Sequence, residues 1–562
     1  MPKMSDLITH LACDLNISLE IAQILFNRGI KSKKEAREFL FPDIRKLHNP
    51  YLMESMEQAV QRIEKAVRDK EKILVFGDYD VDGILSIVVL MKAVESIGGF
   101  IDYFIPDRLE DGYGIKPKHI EMVLKRKIDL VISVDCGIKA VEFTEKARVH
   151  GVDVIITDHH QPGPDLPRAV AVLNPSLNHS KYPDKNLAGI GVVFKLIQAL
   201  MEKRNKDSIL AHYLKLVSIG TIADVVKLRG ENRIFVKFGL ESLKNVSNKG
   251  LINLMSVCGV GFGEVTTGDV GFRIAPRLNA AGRMGNVDLS VSLFRINDSA
   301  ESQNIALRLN QLNSLRQKEE LKIFNQAVKK IEENTLDKKY KLLILGSERW
   351  HRGIIGIVAS RLKEIYYRPV LLFSYKDGKA FGSGRSIKEF SLIKGIQNSH
   401  QLCVNYGGHP LAVGCEIDHE NFDAFRRSIN NYANLEIGED LLKRKIRIDA
   451  KINFKDITKS FLKEMDQLRP YGKGNPKPIL LSENVCVMSN PHILKGKHVK
   501  IIVKKDRKIF EAMGWGRKDW ADLIKKGDWA DIVYSLNRTE YLGEKRFNLV
   551  LHDIKPVNLK PS

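Results

Sequence analysis

The chain has 562 residues, 44% hydrophobic and 28% charged, and its 89 lysines and arginines against 68 aspartates and glutamates leave a formal charge of +21. That composition supports several packed cores and excludes a disordered polymer, and no run approaches the roughly 18 to 20 apolar residues a membrane span requires. The surplus of positive charge points to a polyanionic partner.

At roughly 150 residues per domain the length predicts three or four domains. The N-terminal stretch MPKMSDLITHLACDLNISLE carries acids early and lacks the basic-then-apolar order of a signal peptide, so a soluble, cytoplasmic chain is expected. Residues 1–45 read as a helical segment in which SLEIAQILFNRGI and SKKEAREFL are both amphipathic. From Met56 the helical spacing of MEQAVQRIEKAVRDK leads into the apolar run Ile73 to Phe76, and such runs recur at IDYFIP, DLVISVD, VDVIITD and AVAVLNP. Short buried strands alternating with helices predict an α/β domain over 46–290, its parallel sheet covered on both faces. Within it AHYLKLVSIGTIADVV reads as helix.

Residues 291–336 contain neither proline nor glycine and are rich in Gln, Glu, Lys, Arg and Leu, which predicts one long or once-broken connecting helix. A second α/β unit, 337–437, follows with KLLILGS, IGIVASRLKEIYY, PVLLFSY and the glycine-dotted GKAFGSGRS. Over 440–562 six strand-like runs, KIRIDAKIN, PILLSENVCVM, KHVKIIVKK, KIFEAMGW, ADIVYSLN and FNLVLHDI, predict a small OB-like β-barrel. Between Lys495 and Lys508 this region carries seven Lys/Arg and one acid, Asp506, with Trp515, Trp520 and Trp529 just beyond. Basic strands beside aromatics suit a groove for a single nucleic-acid strand. Tryptophan is more often core than platform, so at most one of the three is expected to meet a base.

Chemistry concentrates at three strand ends. Ile73 to Phe76 is followed by Gly77-Asp78-Tyr79-Asp80-Val81-Asp82-Gly83, which aims three acids to one side if the chain stays extended. Leu130 to Val134 ends in Asp135-Cys136-Gly137, and Val154 to Thr157 ends in Asp158-His159-His160. In open α/β sheets the carboxyl ends of the strands converge on one crevice, where ligands bind. A single aspartate there is usually the N-cap of the next helix. Three such ends, one with three aspartates and one Asp-His-His, predict a metal site instead. Carboxylate and imidazole without thiolate favour Mn²⁺ or Mg²⁺ over structural zinc. The six cysteines lack CxxC spacing and indicate neither a zinc ribbon nor a disulfide framework, so Cys136 reads as a buried neighbour of Asp135. Several carboxylates in one crevice can hold two cations roughly 3.5 to 4 Å apart, an arrangement suited to phosphoester hydrolysis.

GDYDVDG, VDCG and the Asp158-His159-His160 triplet together resemble the DHH phosphoesterase superfamily. Asn174-Pro175, LAGIGV (187–192), GTIADV (220–225), RLNAAGR (277–283), HRGIIG (351–356), GSGRS (382–386) and GGH (407–409) extend the resemblance to the RecJ-type single-stranded-DNA-specific exonucleases. The match runs in order from about Pro42 to Lys555. GGH or GxGR alone would be weak; the ordered set is specific, and no motif position that the chemistry requires departs from the pattern.

The resemblance implies a role for each matching residue. Asp80 and Asp82 would each reach one metal, Asp135 would bridge the two, and His159 and Asp224 would complete the surroundings of the second. Asp78 and Asp158 would be direct ligands or orienters of ligands, Asp78 grouped with the metal residues and Asp158 with the catalytic Asp135 and His160. His160 would touch the scissile phosphate or protonate the leaving oxygen. Asp224 depends on the resemblance most, because an Asp inside an apolar helix reads equally as a cap or an ion-pair partner. Gly382-Ser383-Gly384-Arg385 lets N–H groups, a hydroxyl and a guanidinium approach one phosphate, and Gly407-Gly408-His409 offers close backbone approach. By resemblance Ser383 and Arg385, with Arg108 and Arg283, form a pocket for a terminal 5′-phosphate, Arg277 being an alternative or supplement to Arg283.

The implied activity is 5′→3′ exonucleolysis of single-stranded DNA with two Mn²⁺ or Mg²⁺ ions, releasing 5′-mononucleotides in DNA repair and recombination. A monomer is expected. End resection would call for a helicase and a single-strand-binding protein as partners, although the sequence identifies neither. Two other functions compete. A phosphodiesterase of the superfamily acting on short oligoribonucleotides or cyclic dinucleotides would lack the basic barrel, and an inactive replication scaffold would lack metal ligands.

Overall fold

The apolar runs of the first half become five strands: β1 (Lys72–Gly77), β2 (Phe100–Phe104), β3 (Leu130–Val134), β4 (Asp153–Thr157) and β5 (Ala171–Leu173). They form one all-parallel sheet in the order β2-β1-β3-β4-β5. The computed structural model describes residues 4–108, 111–112, 114–202, 204, 210–541 and 544–557. It divides into one unit of Pro50–Asp224 with Glu241–Lys445, and another of Met1–Asn49, Val225–Leu240 and Ile446–Ser562.

In the first unit β3 is buried along its whole length and β1 along all but Lys72, as expected of strands covered on both faces. The helix Val81–Glu95 is apolar on nearly every side because it lies between this sheet and the helices Gly189–Glu202 and Leu210–Ala223. The order matters for function. From β1 the chain crosses to β2 on one side and later returns to place β3 on the other, so a crevice opens beyond the carboxyl ends of β1 and β3.

The stretch read as a connecting helix is interrupted once. The helix Asp288–Arg295 ends at the extended Ile296, and Asp298 starts the 35-residue helix Ser299–Glu333 by accepting the Glu301 N–H at 2.7 Å. Beyond it β6 (Leu343–Ser347), β7 (Val370–Lys376), β8 (Lys379–Arg385), β9 (Asn405–His409) and β10 (Ala412–Asp418) form a second sheet in the order β6-β7-β8-β10-β9. Only β6 and β7 run parallel. Alternate residues serve two cores: Leu343, Val370 and Leu372 pack with Ile323 and Ile331 of the long helix, whereas Ile344, Leu371 and Phe373 pack with Phe425 and Ile429.

In the second unit β11 (Ala450–Lys451), β12 (Leu480–Val487), β13 (His492–Leu494), β14 (His498–Lys505), β15 (Lys508–Gly514), β16 (Trp529–Tyr541) and β17 (Glu544–Val557) pair in the order β11-β12-β16-β17-β15-β14-β13, and β12 also pairs with β14. That last pairing closes five strands into a barrel. KIRIDAKIN contributes only the two-residue β11, while β13, three residues long, carries too little alternation to be read from sequence. The barrel core is shared with the N-terminal helices: Ile21, Leu25 and Phe39 are buried with Phe454, Leu480 and Ile532. Residues 1–45 and 440–562, separate segments in the sequence reading, thus have one interior. Arg233 locks this unit from within. Its buried guanidinium lies 3.9 Å over the Phe39 ring and donates to the carbonyls of Phe39, Gln467, Leu468, Arg469 and Pro470, the last turn and exit of the helix Lys459–Gln467. Burial pushes its pKa down to about 9.

Candidate active site

Asp80 is the N-cap of the helix Val81–Glu95, its carboxylate accepting the N–H groups of Asp82 (2.9 Å) and Gly83 (3.2 Å). Asp82 instead accepts from the N–H groups of Gly189 (2.7 Å) and Ile190 (3.0 Å), at the start of a different helix. Capping therefore accounts for part of the acidic motif, as it would at any strand end. It does not account for Asp78, which is 3% exposed and whose Oδ1 has no hydrogen-bond partner among the described residues.

Asp135 leaves β3 in the left-handed conformation, φ 57°, its N–H held by the Thr157 carbonyl at 3.0 Å. Gly189 packs against this side chain so closely that a Cβ there would lie 2.6 Å from Asp135 Oδ1. The ligand atoms of Asp78, Asp80 and Asp135 all lie within 4.8 Å of one another, as do those of Asp82, His159 and Asp224, and those of Asp135, His159 and His160. Asp135 belongs to two of these groups. His159 Nε2 stands 3.2 Å from Asp135 Oδ1 and 3.7 Å from Asp224 Oδ2, Asp224 arriving from the end of the helix Leu210–Ala223.

Burial pushes the Asp78 and Asp135 carboxyls well above the usual carboxylate range, and neighbouring acids push them further. Asp82 is raised to about 7, first by burial and then by Asp80. Carboxylates crowded out of water in this way are stabilised in the charged form by a cation. The donor set, oxygens with imidazole and no thiolate, fits hard divalent ions.

Asp158 has a different occupation. Its Oδ2 accepts the Ile138 N–H (2.9 Å), and its Oδ1 meets the N–H groups of His159 (2.7 Å) and His160 (3.0 Å) and His160 Nδ1 (2.8 Å). It is absent from the three ligand groups. Its carboxylate is thus engaged by three backbone N–H groups and the His160 ring. Burial opposes ionisation of both partners, but their mutual hydrogen bond prevails, holding Asp158 low and raising His160 to about 9.

A cluster of arginines stands beside this crevice. Arg283 ends the helix Ala275–Arg283 and donates to the Gly353 carbonyl at 2.8 Å. Burial, then Arg108, Arg316 and Arg385, push its pKa down to about 9. Arg108 lies over the Tyr79 ring, 4.7 Å from its centroid. On β8, Arg385 Nη1 donates to the Gly384 carbonyl at 2.8 Å and lies 3.5 Å from Ser383 Oγ. HRGIIG (351–356), a motif with no role assigned from the sequence, also reaches this cluster. The helix Ile355–Tyr366 begins there, and a Cβ on Gly356 would lie 2.7 Å from Ser383 Oγ and 3.3 Å from Arg385 Nη2. A helix N-terminus so placed adds backbone donors to an anion pocket; a glycine in the first helical turn was the available signal.

Arg277 donates through Nε to Asn310 Oδ1 (2.9 Å) and through Nη1 to the Arg273 carbonyl (2.6 Å), and it acts on Arg316, one of the arginines that act on Arg283. Gly408 and His409 lie on the exposed edge strand β9, where the register sets His409 opposite Ala412 and Ala412 opposite Arg385. Gly408 has φ 135°, and a Cβ there would collide with the Ala412 carbonyl. In the barrel Trp520 is buried, Trp529 half-buried and Trp515 58% exposed, with its ring 4.8 Å from that of His498. Among the described residues no helix is long and apolar enough to cross a membrane.

Three family models match the chain: DHH family, N-terminal domain, over 72–221; DHHA1 domain over 338–435; and RecJ OB domain over 448–553. The single-stranded-DNA-specific exonuclease RecJ of Bacillus subtilis is 34% identical over 98% of this chain and 69% of its own length. That of Haemophilus influenzae is 31% identical over 94% of this chain and 95% of its own. Among solved structures, RecJ of Thermus thermophilus in complex with Mn²⁺ superimposes with a TM-score of 0.84 at 28% identity, covering 100% of this chain and 79% of that one. The Mg²⁺ complex gives 0.79 at 27% identity, covering 100% and 78%.

Proposed function

The chain belongs to the RecJ family of single-stranded-DNA-specific exonucleases, and on that basis we propose that it hydrolyses single-stranded DNA from the 5′ end, one nucleotide at a time, with two Mn²⁺ or Mg²⁺ ions. The observation that carries the reading is the buried crevice in which Asp135 is common to two groups of ligand atoms. Asp78, Asp80 and Asp135 would hold one ion, and Asp82, His159, Asp224 and Asp135 the other. Bound there, the pair lowers the pKa of water and neutralises charge on the attacked phosphate.

The protein's own groups do the remaining work. With Nδ1 engaged by Asp158, His160 would present Nε2 to substrate as the proton donor to the leaving oxygen. Arg108, Arg283, Ser383 and Arg385 would receive the terminal 5′-phosphate, assisted by the Gly356 turn and by Gly408 and His409. A fixed span from that pocket to the carboxylates selects the bond to be cut, which gives both polarity and mononucleotide products. Arg277, committed to Asn310, is left out of the pocket. The barrel would bind single-stranded DNA in its own right, with Trp515 exposed for stacking.

We place the activity in DNA repair and recombination, carried out by a monomer that takes its single strands from a helicase and a single-strand-binding protein. The closed barrel argues against a dinucleotide phosphodiesterase, and the filled ligand positions argue against an inactive scaffold. Digestion of 5′- and 3′-labelled strands with Mn²⁺, Mg²⁺ or chelator, by wild type and Asp135→Ala, tests the proposal. Loss of label from the 3′ end first, or undiminished activity in the variant, would refute it.

A further inference from the structure

Arg352 has no part in the roles assigned so far, yet three contacts fix it beside the arginine cluster. Its guanidinium lies 3.9 Å over the ring of Phe381. Phe381 precedes Ser383 by two residues and Arg385 by four on β8, so the three side chains share one face of the strand. The residue after Arg352 is Gly353, whose carbonyl accepts from Arg283 at 2.8 Å. Four residues on, Gly356 packs against Ser383 and Arg385. The loop carrying Arg352 therefore touches both halves of the proposed phosphate pocket.

The guanidinium is also uncommitted. Arg352 is exposed and makes no hydrogen bond or ion pair with any described residue beyond its stack on Phe381. Glu416, opposite Phe381 across the sheet, is the acid that acts on it most, but that carboxylate is paired with Lys379 Nζ. Tyr79 and Arg108 are the other groups within electrostatic reach. On the face that carries Ser383, the positions on the β10 and β9 side are Gly414 and Gly407, so those two strands add no side chain beside Ser383.

A terminal phosphate monoester carries about −1.5 to −2 charges at neutral pH, against −1 for an internal phosphodiester. Arg283 and Arg385 each spend a donor on a backbone carbonyl. We infer that Arg352 is a further substrate contact that binds the terminal 5′-phosphate together with Arg108, Arg283 and Arg385, with Phe381 as the plate that keeps its guanidinium in place. This rests on the 5′-phosphate pocket proposed above.

The test compares strands bearing a 5′-phosphate or a 5′-hydroxyl, labelled at the 3′ end, in wild type, Arg352→Ala, Arg352→Lys and Phe381→Leu. The ratio of kcat/KM for the two ends is the quantity measured, with circular dichroism and thermal midpoint recorded for each variant. Arg352→Ala is expected to lower the ratio by about 10-fold or more, the scale of one charge-assisted contact. Arg352→Lys should recover part of it, and Phe381→Leu should fall between wild type and alanine. An unchanged ratio in Arg352→Ala, or equal losses on both ends, overturns the inference while leaving the pocket standing. Equal turnover of both ends by wild type overturns the pocket and the inference with it.

Discussion

Asp135 and Asp158 each stand one residue beyond a neighbouring strand, and both are buried, but their surroundings give them opposite duties. Burial first, and then the acids around it, raise the pKa of Asp135, the condition that a divalent ion relieves; Asp158, equally buried, is surrounded by donors that lower it. Asp135→Ala is therefore expected to abolish both activity and the upward shift of thermal midpoint that Mn²⁺ produces. In the intact protein that shift should correspond to about 2.7 kcal/mol at 100 times the dissociation constant. Asp158→Asn should keep the Mn²⁺-dependent shift and lose about 10- to 100-fold in kcat, the usual cost of disturbing a group that orients another. Calorimetry with and without Mn²⁺ separates the two outcomes. Local order made these acids legible in the sequence, because an acid after an apolar run points to the same crevice in any parallel sheet. The difference between them was not legible, since it depends on the Ile138 N–H and on the bend that returns His160 to Asp158. Arg277 and Arg283 could not be ranked for a similar reason: what separates them is Gly353, 70 residues away from Arg283.

At the scale of elements, the motif glycines are explained by what stands next to them. Gly189 opens the helix Gly189–Glu202, donates to Asp82 and leaves no room for a Cβ beside Asp135. Gly189→Ala should leave the thermal midpoint of the apo protein within a few degrees while weakening Mn²⁺ binding, measured by titration calorimetry; normal Mn²⁺ affinity would contradict this reading. Asp298→Ala removes the cap of the long helix and should cost about 1 kcal/mol in denaturant unfolding without altering metal affinity. The β-runs and this helix were readable because their periodicity is strong and local. KIRIDAKIN was over-read as strand: its alternation is genuine, but within it only Ala450 and Ile452 are buried and β12 offers a partner to just two residues.

For the molecule as a whole, domain boundaries drawn along the chain differ from the bodies that fold. The N-terminal helices, the segment Val225–Leu240 and the barrel make one unit from three stretches of sequence. A chain ending at Lys445 would leave Ile21, Leu25 and Phe39 without the residues they pack against. Such a truncation is expected to expose residues 1–49 to trypsin within minutes, where the full chain resists; protection of that segment in the truncated chain would refute a shared core. The sequence could not show this, because amphipathic spacing reveals that a helix has a buried face and not what covers it. Net charge acts at the same scale. With +21 charges, affinity for single strands should fall linearly in a plot of log Kd against log salt, with a slope of about 0.7 per phosphate contacted.

The three-part unit also dictates an order of events in synthesis. Ser18, just before the helix Leu19–Asn27, donates through its N–H and hydroxyl to Glu464, a partner 446 positions later. At about 5 to 20 residues per second a ribosome needs roughly 20 to 90 s to cover that distance. Throughout that interval the helices around Ser18 carry an apolar face whose partner does not yet exist, while the strands of the parallel sheet are made behind them. The helices exposed to premature association or proteolysis are thus made well before the barrel strands that bury them.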